Sequence, residues 1–404
     1  MEEKFEVPAS EIVNRISMIQ KELRQHDIDG LFVVQRVDLF YFSGTAQNGF
    51  LYIPAEGAPL LLIKKYMPRA ERESSIEHII EIKSVKDVPR LIYDLYKGLP
   101  HTLGFELDVV PVNQFNFFRT LFPDQECVDG SPLIRKVRTI KSEWEISRMD
   151  RAAELSRRTF EYIKENIRPG YAEIEFAGMF ETFARKIGHG AKLRVRDYQT
   201  EGYPWHILSG KSGGMVGVLD SPASGEGTSA AFPCGGGNKK LASDEPIMID
   251  LGSVLNGYHF DETRMFAIGA MPKKAFDASK AAIDIHNEVL NRVKPGISLD
   301  ELFQISMRRS GLLGYAEPYL GPPGYKVNFI GHGIGLELIE QPIIASGKKS
   351  PLQPGMILAL EPKMVFKNQF TAGIESVFLV TKTGHRLVSQ TPVKVFNNLH
   401  LLQF

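Results

Sequence analysis

Between residues 11 and 28 the apolar positions recur at the spacing of one helical face. GLFVVQ then reads as a buried strand, and FLYIPAEGAPLLLI sets two apolar runs on either side of Ala55-Glu56-Gly57, the pattern of a hairpin. Strand-like and helix-like stretches alternate to about residue 132, which predicts an α/β module. From Ile134 to Lys141 the chain is basic with no strong core signal, so a domain border is expected there, between residues 1–134 and 135–404. A long amphipathic helix is predicted over 141–166, stopped by Pro169-Gly170. A second, over 172–187, carries Ile174, Phe176, Met179, Phe180 and Phe183. The plan returns with helices over 277–293 and 298–310, separated by Pro295-Gly296. Two helix pairs, each followed by strands, predict an internal pseudo-repeat with a site between its halves.

Acidic residues sit at the ends of four of the predicted strands. In PIMIDLGSVLNGYHFDETRMFAIG, apolar runs flank Leu255-Asn256-Gly257, a hairpin-closing signal. With Val254 to Gly257 as the tip, Ser253 faces Tyr258, and counting back sets Asp250 opposite Asp261 on one face. Facing carboxylates repel, and a shared site pushes a proton onto one of them unless a cation intervenes. The second hairpin repeats the logic: Glu361 ends MILALEP, Glu375 lies in AGIESVFLVT, and Lys367-Asn368-Gln369 reads as the tip. Between the hairpins, the glycines of IGHGIGLE at 331, 333 and 335 let the backbone pass closely around His332. Taken singly, each acid is an ordinary turn or strand-end residue. Together, four carboxylates and a neutral imidazole predict a centre whose charge two divalent ions would cancel, and oxygen donors with one nitrogen suit Mn, Co, Fe or Zn.

The motifs DLGSVLNGYHFDETR, GHGIGLE, LEP and GIES resemble those of the creatinase/methionine aminopeptidase superfamily, with its pita-bread fold. VRTIKSEWEISRMDRAAELS resembles the helix that opens the catalytic domain of prolidases and aminopeptidase P, through Arg138, Lys141, Ser142, Glu143 and Glu145. RISMIQKELRQHDIDGLFVVQRVDLFYFSG is similar to the creatinase-type N-terminal domain, so the resemblance covers nearly the whole chain. It implies an α/β (α+β) architecture, a creatinase-like N-terminal domain over 1–134 followed by a pita-bread catalytic domain over 135–404. It further implies a dinuclear-metal-dependent hydrolase, an Xaa-Pro peptidase of prolidase or aminopeptidase P type, with Mn the first expectation for its metal. Such ions, about 3.5 to 4 Å apart, lower the pKa of bound water and polarise a scissile carbonyl. By motif, Glu361 corresponds to the glutamate that also shuttles the proton of the attacking water. Asp250, Asp261, His332 and Glu375 are then ligands, with Asp261 and Glu375 bridging. A homodimer is also implied, in which one subunit's N-terminal domain narrows the other's active site.

The sequence departs from the peptidase pattern around the substrate. Ile339 stands before Glu340 where the peptidases have His-Glu. A second family histidine, aligned on Leu208-Ser209-Gly210, would fall near Gly217, and Gly373 replaces an arginine two residues before Glu375. His206, in GYPWHILSG, is a candidate substitute for a lost histidine, against the ordinary reading of a strand-start residue bonded to backbone. Trp205 could wall an apolar pocket, and Ile339 and Glu340 complete the candidate substrate contacts. His259 shares a face with Asp261 and, in the same count, pairs with Gly252. Arg194, Arg196 and Asp197 read as a solvated charged strand. These losses leave open two other readings. One is a small non-peptide substrate, as in ectoine hydrolases and certain dimethylsulfoniopropionate lyases; the other, against which the intact ligands argue, is a silent binding module.

Composition narrows the picture further. With 404 residues, 43% of them hydrophobic, the chain can fill two cores. Its 48 basic and 48 acidic residues balance, which leaves no global electrostatic case for nucleic acid or anionic membrane as a partner. Cys127 and Cys234 form no disulfide framework and no zinc motif, and MEEKFEVPAS lacks an apolar signal region, so the cytoplasm is the expected compartment. GGGNKK lacks the spacing of a phosphate loop, and neither Ser209 nor Cys234 sits in a nucleophile elbow.

Overall fold

The computed structural model describes residues 5–196, 205–217 and 221–397. Asp197 and the side chain of Trp205 fall outside the described set. The chain divides into two compact units, Met1–Arg138 and Thr139–Phe404. That division falls within the basic segment from Ile134 to Lys141, which is not coreless. Ser131–Thr139 is a helix that buries Leu133, Ile134 and Val137, while Lys136 between them stays exposed.

The first unit runs α1 (Ala9–Gln25), β1 (Gly30–Val33), α2 (Arg36–Ser43), β2 (Gly49–Pro54), β3 (Leu60–Ile63), α3 (Met67–Glu73), β4 (His78–Glu81), α4 (Val88–Tyr96), β5 (Thr102–Phe105), α5 (Val112–Leu121), β6 (Glu126–Asp129) and α6 (Ser131–Thr139). Its six strands form one sheet in the order β4-β3-β2-β1-β5-β6, with the expected β2–β3 hairpin paired antiparallel. Phe32, Phe50, Phe105 and Phe118 meet in its core. At the C-terminal end of the unit, Arg138 Nη1 donates to Asp38 Oδ1 at 2.7 Å, a buried pair.

The second unit continues with α7 (Glu143–Asn166), α8 (Glu173–Lys186), β7 (Trp205–Ser209), β8 (Ile247–Leu255), β9 (Tyr258–Ala267), α9 (Lys273–Leu290), α10 (Leu299–Leu312), β10 (Phe329–Gly333), β11 (Glu340–Ala345), β12 (Ile357–Leu360), β13 (Lys363–Phe366), β14 (Phe370–Gly373), β15 (Ser376–Val380), β16 (His385–Leu387) and β17 (Phe396–Asn397). A capping box starts α7: Ser142 Oγ accepts from Glu145 N, and Glu145 Oε2 accepts from Ser142 N. The strands form a β17-β9-β8-β7 sheet, a β11-β10-β12-β15-β16 sheet and a β13-β14 ribbon. Phe160 and Ile163 of α7, with Phe176 and Phe180 of α8, pack on Ile247, Ile249 and Leu251 of β8. The α9–α10 pair packs with Met248, Met265 and the apolar faces of β12 and β15. Two helix pairs, each against strands, are the expected repeat. Among the described residues no helix is long and apolar enough to cross a membrane.

Alternation along β8 therefore sends Ile247, Ile249 and Leu251 toward α7 and α8, and Met248, Asp250 and Gly252 to the other face. The register differs from the expected one by two residues. Leu255 pairs with Tyr258, so the loop is only Asn256-Gly257, both at positive φ (54° and 89°), as a two-residue primed turn requires. Asp250 accordingly faces Thr263, Asp261 faces Gly252, and His259 faces Val254. An even slip leaves side chains on their faces, so Asp250 and Asp261 still share one, as diagonal neighbours.

Candidate metal centre

The second hairpin follows the expected register around a break in its ladder. Leu360 pairs with Ser376 and Lys363 with Gly373, which sets Glu361 against Glu375, and the tip is Lys367 to Gln369, between the paired Phe366 and Phe370. His332 comes alongside on β10, where it pairs with Ala359, two residues before Glu361. The flanking glycines are required by close approach. A Cβ on Gly331 would lie 2.2 Å from the Ala359 carbonyl oxygen, and one on Gly333 would lie 2.4 Å from that of Gln341.

One donor atom each from Asp261, His332 and Glu375 lies within 4.8 Å of the others, and all three residues are buried. His332 Nδ1 sits 2.9 Å from the Gly333 carbonyl oxygen, so it carries the hydrogen and leaves the Nε2 lone pair for the centre. Nε2 lies 3.8 Å from Glu361 Oε1. Glu375 Oε2 accepts from Thr263 Oγ1 at 2.9 Å, whereas its Oε1 is buried with no hydrogen-bond partner among the described residues. An orphaned carboxylate oxygen beside an imidazole lone pair and a second acid is a donor set that fits a divalent cation.

Lys363, absent from the residues expected here, lies among these acids. Its Nζ donates to Asp250 Oδ2 at 2.8 Å, Glu361 Oε2 at 2.9 Å and Glu375 Oε2 at 3.3 Å, and its side chain is 2% exposed. The signal was available in alternation, since Lys363 is two residues beyond Glu361 and pairs with Gly373, the position already noted as having lost an arginine. Thr263 was also missed, because the expected register hid its place opposite Asp250.

The electrostatics follow from burial and these neighbours. Burial, with Glu375 and Asp250 nearby, holds Asp261 well above the usual carboxylate range. Burial also pushes Glu375 up to about 8, with Glu361 and Asp250 adding to it against Lys363 and Thr263. At Asp250 burial acts upward too, but Lys363 and His206 together hold it below its ordinary value. Lys363 itself is raised well above the normal ammonium range, its three acids outweighing its burial.

The expected substrate residues lie on β7 and at the start of β11, where Glu340 pairs with Gly333. His206 on β7 directly faces Asp250, is buried, and is pushed below its ordinary value by that burial. Ile339 is 49% exposed. Glu340 is committed elsewhere: its Oε2 accepts from Lys141 Nζ at 3.0 Å in a buried pair, and its Oε1 accepts from Glu337 N. His259 bridges backbone, with Nε2 accepting from Arg194 N and Nδ1 3.2 Å from the Gly335 carbonyl oxygen. Arg194 and Arg196 are not in a strand, and the Arg196 side chain, 8% exposed, lies 3.9 Å from Glu337 Oε2 rather than in solvent. At Gly217, the place of a lost histidine, a Cβ would lie 2.0 Å from Ser224 Oγ, so the inserted segment fills that space.

The model of Metallopeptidase family M24 matches residues 147–382, more than half of the chain. The chain belongs to metallopeptidase family M24. A Creatinase/Prolidase N-terminal domain matches residues 15–140. Among relatives of this M24 chain, the Xaa-Pro dipeptidase of Pyrococcus furiosus is 24% identical over 382 residues, covering 93% of this chain and 98% of that one. An uncharacterized peptidase of Staphylococcus epidermidis is 25% identical over 383 residues, covering 94% and 99%. Among solved structures, an Xaa-Pro dipeptidase from Bacillus anthracis superposes with a TM-score of 0.81 at 22% identity, covering 96% of this chain and 99% of that one. The X-Pro aminopeptidase from Thermotoga maritima does so at 0.78 and 22%, covering 95% and 99%. The creatinase-like and pita-bread architecture read from the motifs is thus the architecture of the family, and family membership makes the chain a metal-dependent peptidase.

Proposed function

We propose that this M24 chain is an Xaa-Pro peptidase, of prolidase or aminopeptidase P type, acting on short peptides with a divalent cation held at Asp261, His332 and Glu375. The observation that carries the metal site is the convergence of those three donors beside the orphaned Glu375 Oε1. The substrate class rests on the relatives that are Xaa-Pro dipeptidases and aminopeptidases. Mn is the first choice of metal, with Co, Zn and Fe suited to the same donors.

When bound, the metal would supply Lewis acidity toward a peptide carbonyl and lower the pKa of water. The protein's own groups do the rest. His332 is oriented by the Gly333 carbonyl, and Glu375 by Thr263. Glu361, with Oε1 on the His332 side and Oε2 on Lys363, accepts the proton of the attacking water and delivers it to the leaving amine. Asp250 faces His206 across β7 and β8 and accepts from Lys363. We assign the working form to a cytoplasmic homodimer, which sedimentation velocity and cell fractionation would test.

The decisive experiment is hydrolysis of a mixed panel of Xaa-Pro and Xaa-Ala dipeptides and tripeptides by protein stripped of metal and reloaded with Mn, Co or Zn. Metal-dependent cleavage confined to the bond before proline is the expected result. Stoichiometric metal with no cleavage of any peptide would overturn the substrate assignment.

A further inference from the structure

The charge count that asks for two divalent ions leaves out Lys363. An ammonium has three N–H donors, and Lys363 has three carboxylate oxygens to receive them. The three come from different segments: Asp250 on β8, Glu361 beyond β12, and Glu375 ahead of β15. An exposed lysine that merely lowered surface charge would touch one acid and keep its head in water. This one is 2% exposed and joins both hairpins.

Space has been made for it. Gly373 pairs with Lys363 across the β13–β14 ribbon, and a Cβ on Gly373 would lie 2.6 Å from Lys363 Cγ. The absence of a side chain at 373 is therefore what lets the lysine stem run toward the acids. Glu361 and Glu375 are each divided by this arrangement. Their Oε2 atoms accept from Lys363, while Glu361 Oε1 faces His332 Nε2 at 3.8 Å and Glu375 Oε1 is without a hydrogen-bond partner among the described residues.

We propose that the Lys363 ammonium is a built-in cation occupying one of the two cation positions of this site, so that the chain takes one divalent ion, at Asp261, His332 and Glu375, instead of two. The inference rests on the metal site proposed above. Asp250 then serves as a partner of Lys363 rather than as a metal ligand.

The test is metal content, independent of catalysis. The full-length protein, stripped and reloaded with excess Mn(II), is desalted and counted by plasma mass spectrometry, and its electron paramagnetic resonance spectrum is recorded. One ion per chain with the spectrum of isolated Mn(II) is the expected result. The Lys363→Ala variant is expected to take a second ion and to show an exchange-coupled pair. Two coupled ions in the unaltered protein, or no second ion in a folded Lys363→Ala, would overturn the proposal. The count on the unaltered protein decides even if the variant does not fold. Two ions would leave the peptidase assignment standing, whereas no ion at all would remove both.

Discussion

Thr263 Oγ1 donates to Glu375 Oε2 at 2.9 Å, and the Thr263 carbonyl accepts from Glu375 N at 3.1 Å. Two contacts between the same pair of residues tie the first hairpin to the second. The strand that carries Asp261 thereby orients the carboxylate with which Asp261 shares the candidate centre.

Removing that hydroxyl should loosen the ligand without emptying the core. Thr263→Val is expected to weaken Mn(II) binding by about 10–100-fold, the usual effect of losing a partner that orients a ligand, while Thr263→Ser stays close to the original. Isothermal titration measures both, and equal affinities for the two variants would count against an orienting role.

Glu361→Gln keeps the shape and the Lys363 contact but removes the proton acceptor. Turnover of an Xaa-Pro substrate should fall by about 10²–10⁴-fold, the range for a general acid–base residue, with the far-ultraviolet circular dichroism and urea midpoint little changed. Activity retained within a few-fold would take Glu361 out of the proton path.

The pH response of the metal-free protein has a definite sign. Burial and the neighbouring acids push Glu375 from 4.5 up to about 8 and raise Asp261 in the same direction. The folded state therefore holds protons that the unfolded chain has released, and stability falls as pH rises through that interval. His189, His206 and His286, lowered from 6.5 by burial, act oppositely, but only below about 6.5. Between pH 6.5 and 8 the metal-free melting temperature should decline, and saturating Mn(II), which binds the ionised carboxylates, should offset the decline. A melting temperature that rises across this window without metal would contradict the assignment.

Arg264 is wholly buried and donates to the carbonyls of Thr263, Glu375, Thr391 and Pro392, beside the buried carboxylate of Glu262. Arg264→Met leaves Glu262 without its cation and should cost about 3–5 kcal/mol in urea unfolding. A cost below about 1 kcal/mol would mean that the guanidinium contributes little net stability here.

Gly373→Ala brings a methyl group within 2.6 Å of the Lys363 stem and should destabilise by about 1–3 kcal/mol through overpacking. Combined with Lys363→Ala, much of that penalty should disappear. Additive effects in the double-mutant cycle would show that the two positions are not spatially coupled.

Periodicity and turn chemistry are local, and they carried the helix pairs, the β2–β3 hairpin and the second hairpin with Glu361 against Glu375. The glycines around His332 announced the close backbone passage that brings the imidazole in. The first hairpin was misjudged by two residues because LNG allows either a four-residue or a two-residue loop, and only cross-strand pairing over the whole length of β8 and β9 selects one. Parity protected the faces of Asp250 and Asp261 from that error. Glu340 looked available as a substrate contact, but Lys141, about two hundred residues earlier in the chain, claims it. Lys363 looked like an ordinary strand lysine; its charge became part of the centre only when Asp250, from the other hairpin, joined Glu361 and Glu375 around it. Motif resemblance thus pointed to the family, while residue types, spacings and alternation pointed to the elements and to the acids that the hairpins bring together. Which oxygen each acid spends on an ammonium and which it leaves for a metal was decided by tertiary packing, because burial and charge neutralisation act on neighbours in space.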